Sequence, residues 1–316
     1  MLDQFGRDIQ YLRLSVTERC TLKCAYCRAG EGLCPKETEL SAGDFLRIVR
    51  ILAGMGVSKV RITGGEPMLR RDLEEIISGI RAVPGITEIA MTTNAQQLPG
   101  RSAALKKAGL DRLNISIDSL RPERYEQMTG GGSLSAVLQG IHEALAADLT
   151  PLKLNAVILR GVNDDEVDDF IALTKDNALD MRFIELMPMG CEDHSNQRIP
   201  TDELLSARPW LVPLPPRYPG QPSADYHVEG YLGRVGFISP MSHKFCGDCN
   251  RVRVMSDGML RPCLGDNSEI SLKPALAEAG DDALEAVIRD AVYHKPRTHS
   301  FDKAFHPDKN MSRIGG

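Results

Sequence analysis

The chain has 316 residues, 42% of them hydrophobic, enough to bury one large core or a large domain with a smaller one beside it. A formal net charge of -5 argues against a general nucleic-acid binder, but leaves room for a local cationic site that takes an anionic small molecule. No apolar run is long enough to cross a bilayer and none opens the chain, and six of the eight cysteines cluster at ligand spacings, so the expectation is a soluble cytoplasmic protein with reduced thiols, no membrane and no nucleic-acid partner.

Taken in chain order, short β-branched or apolar runs predict strands over 9–16, 59–63, 86–92, 112–117, 152–159 and 181–186. Amphipathic patterns between them predict helices over 42–55, with Ser41 as N-cap, and over 71–83, 101–107, 134–147 and 165–175. Repeated βα units at this spacing imply parallel strands with crossover helices. The expected fold is α/β, a partial (βα)6 TIM-like barrel, with its chemistry at the C-terminal ends of the strands. The pattern breaks after residue 186. Pro213, Pro215, Pro216, Pro219 and Pro222 mark the stretch 187–225 as a connector or an irregular covering layer. Strand pairs follow over 226–238 and 251–263, the second turning at Asp257-Gly258. A helix over 282–294 and a polar tail complete the chain. The expected division is a barrel over 1–225 and a C-terminal region over 226–316 that covers the barrel mouth.

The loop after the first predicted strand reads CTLKCAYC and holds Cys20, Cys24 and Cys27. Three thiolates can hold three irons of a 4Fe-4S cluster and leave the fourth iron open. The alternative is zinc, which wants four Cys or His ligands, typically in CxxC pairs. No His lies near, and Arg19 and Arg28 flank the loop. CxxxCxxC with an aromatic residue, Tyr26, before the third Cys resembles the radical S-adenosylmethionine (SAM) enzymes. In those enzymes the open iron chelates SAM, and one electron from the cluster releases a 5′-deoxyadenosyl radical.

A second set of three, Cys246, Cys249 and Cys263, lacks the second close pair of a zinc ribbon, although His243 stands near enough in sequence to complete a zinc site. The sharper reading is a second 4Fe-4S cluster whose open iron binds substrate. Arg13, Arg61 and Lys153 fall on predicted strands, where a charge is costly unless paired. One such residue reads as a salt bridge or an outward-facing position. Three on different strands, with Arg251 and Arg253 alternating across Val252 and therefore on one face, point to an anion site. Gly64-Gly65-Glu66-Pro67 reads either as a backbone that approaches a ligand closely or as an ordinary strand-to-helix turn. Taken alone, Ser116 reads as a polar strand residue, Met187 as core filler, and Gly315-Gly316 as an unstructured terminus.

From about residue 5 to the last residue the chain resembles the GTP 3′,8-cyclases, the first enzymes of molybdenum cofactor biosynthesis. The segments that carry the likeness are GRDIQYLRLSVTERCTLKCAYC, RITGGEPMLRRDL, NISIDSL, LKLNAVILRGVN, RFIELMPMG, FCGDCNRVRV and the terminal IGG. The resemblance implies two 4Fe-4S clusters, the first on Cys20, Cys24 and Cys27, the second on Cys246, Cys249 and Cys263. It implies SAM contacts at Tyr26, Gly65, Ser116 and Met187. It implies GTP contacts at Arg13, Arg61, Thr92, Lys153, Arg251, the Val252 backbone and Arg253. It gives Arg251, Arg253, Gly315 and Gly316 catalytic standing, the two glycines entering the active site to position substrate or an Arg side chain. The implied reaction turns GTP into (8S)-3′,8-cyclo-7,8-dihydroguanosine 5′-triphosphate, for use by cyclic pyranopterin monophosphate synthase. The family also suggests a homodimer; it names no electron donor. Ala95 stands where the family commonly has the glycine of TTNG, which weakens the expected turn. The stretch 191–231 is less similar and nothing is carried over from it, and Cys34 and Cys191 fit neither cysteine set. The alternatives are a radical SAM enzyme acting on a peptide, whose relatives carry longer C-terminal Cys arrays, and an iron-sulfur or zinc scaffold that binds nucleotide or RNA.

Overall fold

The computed structural model describes residues 1–27, 38–189, 195–301 and 307–315. The six predicted strands form as β1 (Tyr11–Ser15), β2 (Lys59–Thr63), β3 (Glu88–Thr93), β4 (Arg112–Ser116), β5 (Lys153–Val157) and β6 (Asp180–Ile184). They pair in parallel in chain order. The chain after β6 extends the same sheet at both sides. β7 (Val212–Pro213), β8 (Ala224–His227) and β9 (Arg234–Ile238) lie beyond β6, and β10 (Arg251–Val254), β11 (Met259–Arg261) and β12 (Ile270–Ser271) lie beyond β1. β9 joins β6 and β10 joins β1 in parallel, so the parallel run has eight strands where six were expected. Sequence pattern shows repeated βα units, but not these two joins, which have no single crossover helix to announce them. The remaining four strands are antiparallel additions at the two edges.

Helices α1 (Ala42–Gly54), α2 (Leu73–Arg81), α3 (Ser102–Ala108), α4 (Pro122–Thr129), α5 (Leu134–Ala146) and α6 (Val167–Ala172) fall between the first six strands. Ser41 caps α1 as expected: its hydroxyl accepts from Asp44 N at 3.2 Å and the Asp44 carboxylate accepts from Ser41 N at 3.1 Å, a reciprocal capping box. α4 was not anticipated, although Pro122 at its first position is a helix-start signal. The helix expected over 165–175 is shorter, because Asp164–Glu166 form a 3-10 turn ahead of it. Later come α7 (Thr201–Ser206), inside the Pro-rich stretch, then α8 (Lys273–Leu276), α9 (Asp282–Tyr293) and α10 (Met311–Ile314).

Alternation within the strands separates two faces. Leu12 and Leu14, Val60 and Ile62, Ile89 and Met91, Leu113 and Ile115, and Met181 and Phe183 are all buried in one core with the helices' apolar residues, such as Phe45, Ile48 and Leu52 of α1. Val252 and Val254 of β10 join that core. Most of the intervening positions are polar, with Ala90, Val157 and Ile184 as exceptions, so the face away from the helices is largely polar. An ordinary TIM barrel fills its interior with branched apolar side chains. This one keeps its apolar packing outside the sheet and gives its inner face to charge.

Candidate active site

The inner face is built row by row from strand register. Arg13 of β1 stands beside Arg253 of β10 on one side and Arg61 of β2 on the other. One level lower, toward the strand N-termini, Tyr11 stands between Arg251 and Lys59. Further round, Asn114 pairs with Thr92 and with Lys153, and Ser116 with Asn155, which in turn pairs with Arg182. Thus Arg13, Arg61, Thr92, Ser116, Lys153, Arg251 and Arg253 all belong to one polar face. Val252 turns to the opposite, apolar face, where it is 1% exposed, so its side chain is not offered to a ligand on the polar face. Sequence reading missed Tyr11, Arg112, Asn114, Asn155 and Arg182 on the same face. The signal was available for Tyr11, Arg112, Asn114 and Asn155, each an even number of positions from a residue singled out on its own strand, but β6 held no such residue to point to Arg182.

The face is under-satisfied. Buried polar atoms with no hydrogen-bond partner include Tyr11 Oη, Arg61 Nε, Thr92 Oγ1, Asn114 Nδ2, Asn155 Oδ1, Arg182 Nε and Arg251 Nη2. Buried polar groups are ordinarily paired, so a set of orphans on one surface marks a place for a polar ligand. Lys153 reaches Asp180 at 3.6 Å, but among the described residues Arg61, Arg182, Arg251 and Arg253 have no ion pair. Burial, then Arg253 and Arg61, hold the Arg13 guanidinium well below its ordinary pKa. Burial, then Arg251, lower Arg253 to about 10. Burial, then Arg182 and Arg112, lower Lys153 to about 6, with Asp180 acting against them. Cations that depress one another in a buried space fit an anion of several charges.

The two cysteine sets close opposite ends of this face. Cys20, Cys24 and Cys27 follow the C-terminal end of β1, while Cys246 and Cys249 precede β10, which runs parallel to β1. Cys263 follows the antiparallel β11 and so returns to that same lower end. From Tyr11 to Ser15 the strand rises about 13 Å. The C-terminal region therefore covers the mouth with its tail and seals the floor with its cysteines.

At the upper end, burial pushes the Cys20 and Cys24 thiols up and Cys27 to about 12. Left alone they hold their protons, and a cationic cluster iron would draw them off. Gly64 and Gly65 are explained first by the chain itself. A Cβ on Gly64 would collide with Thr17 O and one on Gly65 with Arg19 O, and Gly65 N donates to Thr17 O at 2.8 Å. The glycines let β2 close on the backbone that leads into the first cysteine loop. Glu66, fully buried, accepts from Met68 N at 3.1 Å, Thr93 Oγ1 at 2.8 Å and Asn94 N at 2.8 Å, joining the end of β2 to the end of β3. Burial raises its pKa to about 6. Ala95 adopts the left-handed backbone, φ 59°, that the family's glycine would take, so the turn is kept. Tyr26 Oη donates to Asp118 Oδ2 at 2.7 Å, and Met187 packs on a small apolar group of Met189, Met255, Phe301 and Ile314.

The tail reaches this end as well. Arg313 Nε pairs with the buried Glu18 Oε2 at 3.1 Å, and the Gly315 carbonyl accepts from Arg253 Nη1 at 2.7 Å and Arg13 Nη2 at 3.4 Å. Gly315 is thereby brought onto the cationic row, against Thr63 and Ser15. Gly316, Cys34 and Cys191 lie outside the described residues.

At the lower end, Arg251 and Lys295 outweigh burial and lower Cys249 to about 6, whereas burial raises Cys263. His243, the residue that would complete a zinc site, is exposed and bonded through Nε2 to Asp202 Oδ1 at 2.8 Å. All six cysteines are free thiols, and among the described residues no three His, Cys, Asp or Glu side chains converge on a single metal ion. Each end offers three cysteine thiols, which as thiolates are the ligands of iron-sulfur clusters.

Comparison with known proteins adds to this geometry. Residues 14–174 match the family model of the radical SAM superfamily, and residues 179–301 match Molybdenum Cofactor Synthesis C. A GTP 3′,8-cyclase of Alkaliphilus oremlandii is 45% identical over 322 residues, covering 100% of both chains. The chain belongs to the GTP 3′,8-cyclase family. Another member, from Moorella thermoacetica, is 43% identical, again over 100% of both chains. Among solved structures, Streptococcus suis SuiB bound to precursor peptide SuiA aligns with a TM-score of 0.62 at 16% identity, over 91% of this chain and 66% of SuiB. A structure described as anSMEcpe with bound AdoMet gives 0.59 at 14% identity, over 92% of this chain and 82% of its own. At such identities the likeness is one of fold: the radical SAM partial barrel. No helix of the described residues is long and apolar enough to cross a membrane.

Proposed function

We propose that this chain converts GTP to (8S)-3′,8-cyclo-7,8-dihydroguanosine 5′-triphosphate, with SAM cleaved to methionine and 5′-deoxyadenosine. Family membership supports the reaction class. The observation that carries the substrate is the cationic, under-satisfied inner face held between two three-cysteine ends. When bound, the first cluster with SAM would supply the 5′-deoxyadenosyl radical that takes the ribose 3′ hydrogen, and closure of that carbon on guanine carbon-8 would be completed by one electron from a reductant and one proton. The protein's own part is placement and exclusion of water. Cys20, Cys24 and Cys27 hold the first cluster, and Tyr26, Gly65, Ser116 and Met187 hold SAM. Arg13, Arg61, Thr92, Lys153, Arg251, the Val252 backbone and Arg253 orient GTP, its guanine end toward the second cluster on Cys246, Cys249 and Cys263. Gly315 fixes the Arg253 side chain through its carbonyl, and the family resemblance gives Gly316 a positioning role beside it.

In this reading residues 1–225 form the SAM-binding barrel, whose Arg13, Arg61, Thr92 and Lys153 also meet the substrate, and 226–316 form the region that brings the second cluster, Arg251 and Arg253 to it. The protein works as a homodimer in the cytoplasm, and its product goes on to cyclic pyranopterin monophosphate synthase. The test is anaerobic. Iron and sulfide are restored, then SAM, dithionite and GTP labelled at the 3′ hydrogen are added. Label moving into 5′-deoxyadenosine, with a nucleotide isomeric to GTP, is the expected result. SAM cleavage indifferent to GTP would remove GTP as substrate.

A further inference from the structure

Two buried cations lie beneath the lower cysteine set, and they differ in one respect. Arg7 donates to Cys246 O at 2.9 Å, Pro296 O at 2.8 Å and Arg297 O at 3.1 Å, and its charge is balanced by Asp3 at 2.6 Å. Lys295 is 2% exposed. Its ammonium donates to Arg251 O at 2.9 Å and to Pro262 O, and among the described residues no carboxylate lies within ion-pair distance of it. One carbonyl belongs to the residue two after Cys249, the other to the residue just before Cys263. Lys295 thus ties together the two separate segments that bring thiols to this end.

A lysine just past the end of α9 has a bland explanation, the capping of helix carbonyls. The geometry removes it, because neither acceptor belongs to α9. A buried ammonium without a counter-charge is costly, and truncating half of a buried pair costs more than a surface pair gains. The anions available at this place are the thiolates themselves.

We infer that Lys295 is a positioning residue for the second cluster: it joins the Cys249 and Cys263 segments, and its charge offsets the negative charge of their thiolates. The inference rests on the two-cluster reading. A cation beside an anionic cluster favours the added electron, so loss of the charge moves the midpoint potential negative.

The experiment isolates the second site in the full-length chain with Cys20, Cys24 and Cys27 each changed to Ser. Iron and labile sulfide are counted, and the midpoint is measured by a dye-mediated titration followed by electron paramagnetic resonance. The parent is compared with Lys295→Gln, which keeps donors but no charge, Lys295→Met, which keeps neither, and Lys295→Arg, which keeps charge. Expected are about four irons in the parent, a more negative midpoint in Lys295→Gln, and the parent midpoint in Lys295→Arg. Failure of both neutral variants to take iron, with Lys295→Arg loading normally, supports the same assignment. The parent midpoint in Lys295→Gln, whatever Lys295→Met does, overturns the charge role. Failure of Lys295→Arg together with both neutral variants also overturns it, since lysine shape alone would then matter. A parent that takes up no iron refutes the two-cluster reading instead and is told apart by that count.

Discussion

Gly315→Ala is the sharpest test of the tail. The residue sits at φ 80°, in the left-handed region, where a side chain costs about 1 kcal/mol or more. An added Cβ would meet Thr63 Cγ2 at 2.8 Å and Ser15 Cβ at 3.0 Å. Both neighbours belong to strand residues that cannot retreat, so overpacking adds about 1–3 kcal/mol. Against this stand the charge-assisted bond from Arg253 Nη1 to Gly315 O, about 1.5–3 kcal/mol, and a partly exposed Arg313–Glu18 pair that contributes less. The penalty of roughly 2–4 kcal/mol is comparable with that bond, while Ile314, 1% exposed in its apolar group, keeps its own burial, so the tail stays in place but is held on the cationic row far less firmly. Hydrogen exchange by mass spectrometry reads this directly. Amides of 307–315 should lose protection by about tenfold or more, with α1 amides unchanged as an internal control. Cyclic product formation should fall by at least about tenfold in parallel. Wild-type protection of the tail amides would refute the packing argument. Lost protection with full turnover would leave the packing intact and remove the tail from catalysis.

Lys153, lowered to about 6, is mostly neutral at pH 7.5, and an anionic triphosphate favours its ammonium form. Binding therefore takes up a proton, and GTP affinity falls as pH rises above 6, with the loss removed in Lys153→Met; calorimetry in buffers of different ionisation enthalpy should show the uptake, and equal buffer dependence in both proteins would sink the idea. Glu66→Gln places an amide donor against one of three donors now accepted, at about 2–3 kcal/mol. Iron at the first site should fall while the second site loads, and a wild-type iron count with wild-type melting would contradict the role given to Glu66. Ala95→Gly relieves about 1 kcal/mol of left-handed strain but gives up about 0.8 kcal/mol for a buried methyl and some backbone entropy. Denaturant titration should find it within about 1 kcal/mol of the parent, and a larger change in either direction would mean that the turn is set by something else.

Much of this was legible from residues alone. The βα spacing located all six leading strands within a few residues, and Ser41 announced its helix. Arg13, Arg61 and Lys153 were conspicuous because a charge in a strand asks for a reason. Register was not legible. That Arg253, Arg13 and Arg61 form one row depends on β10 joining β1 across more than two hundred residues, and no local pattern carries that information. The same long-range pairing decides that the second cysteine set closes the floor rather than the mouth. Glu66 was read as part of a turn because two of its three partners, Thr93 and Asn94, are close by only in the fold. Lys295 drew no notice, since a lysine after a helix is unremarkable until its acceptors are known.

The sheet runs in one line from β12 to β7. In a closed eight-stranded barrel, strand number and shear set the bore, and side chains fill it. A ribbon with two free edges is under no such constraint. Its curvature is adjustable, so the bore can open to the girth of a nucleoside triphosphate without any ladder bond being given up. Admission of a bulky guest then costs only a change in curl, a far softer deformation than breaking a ring of strands.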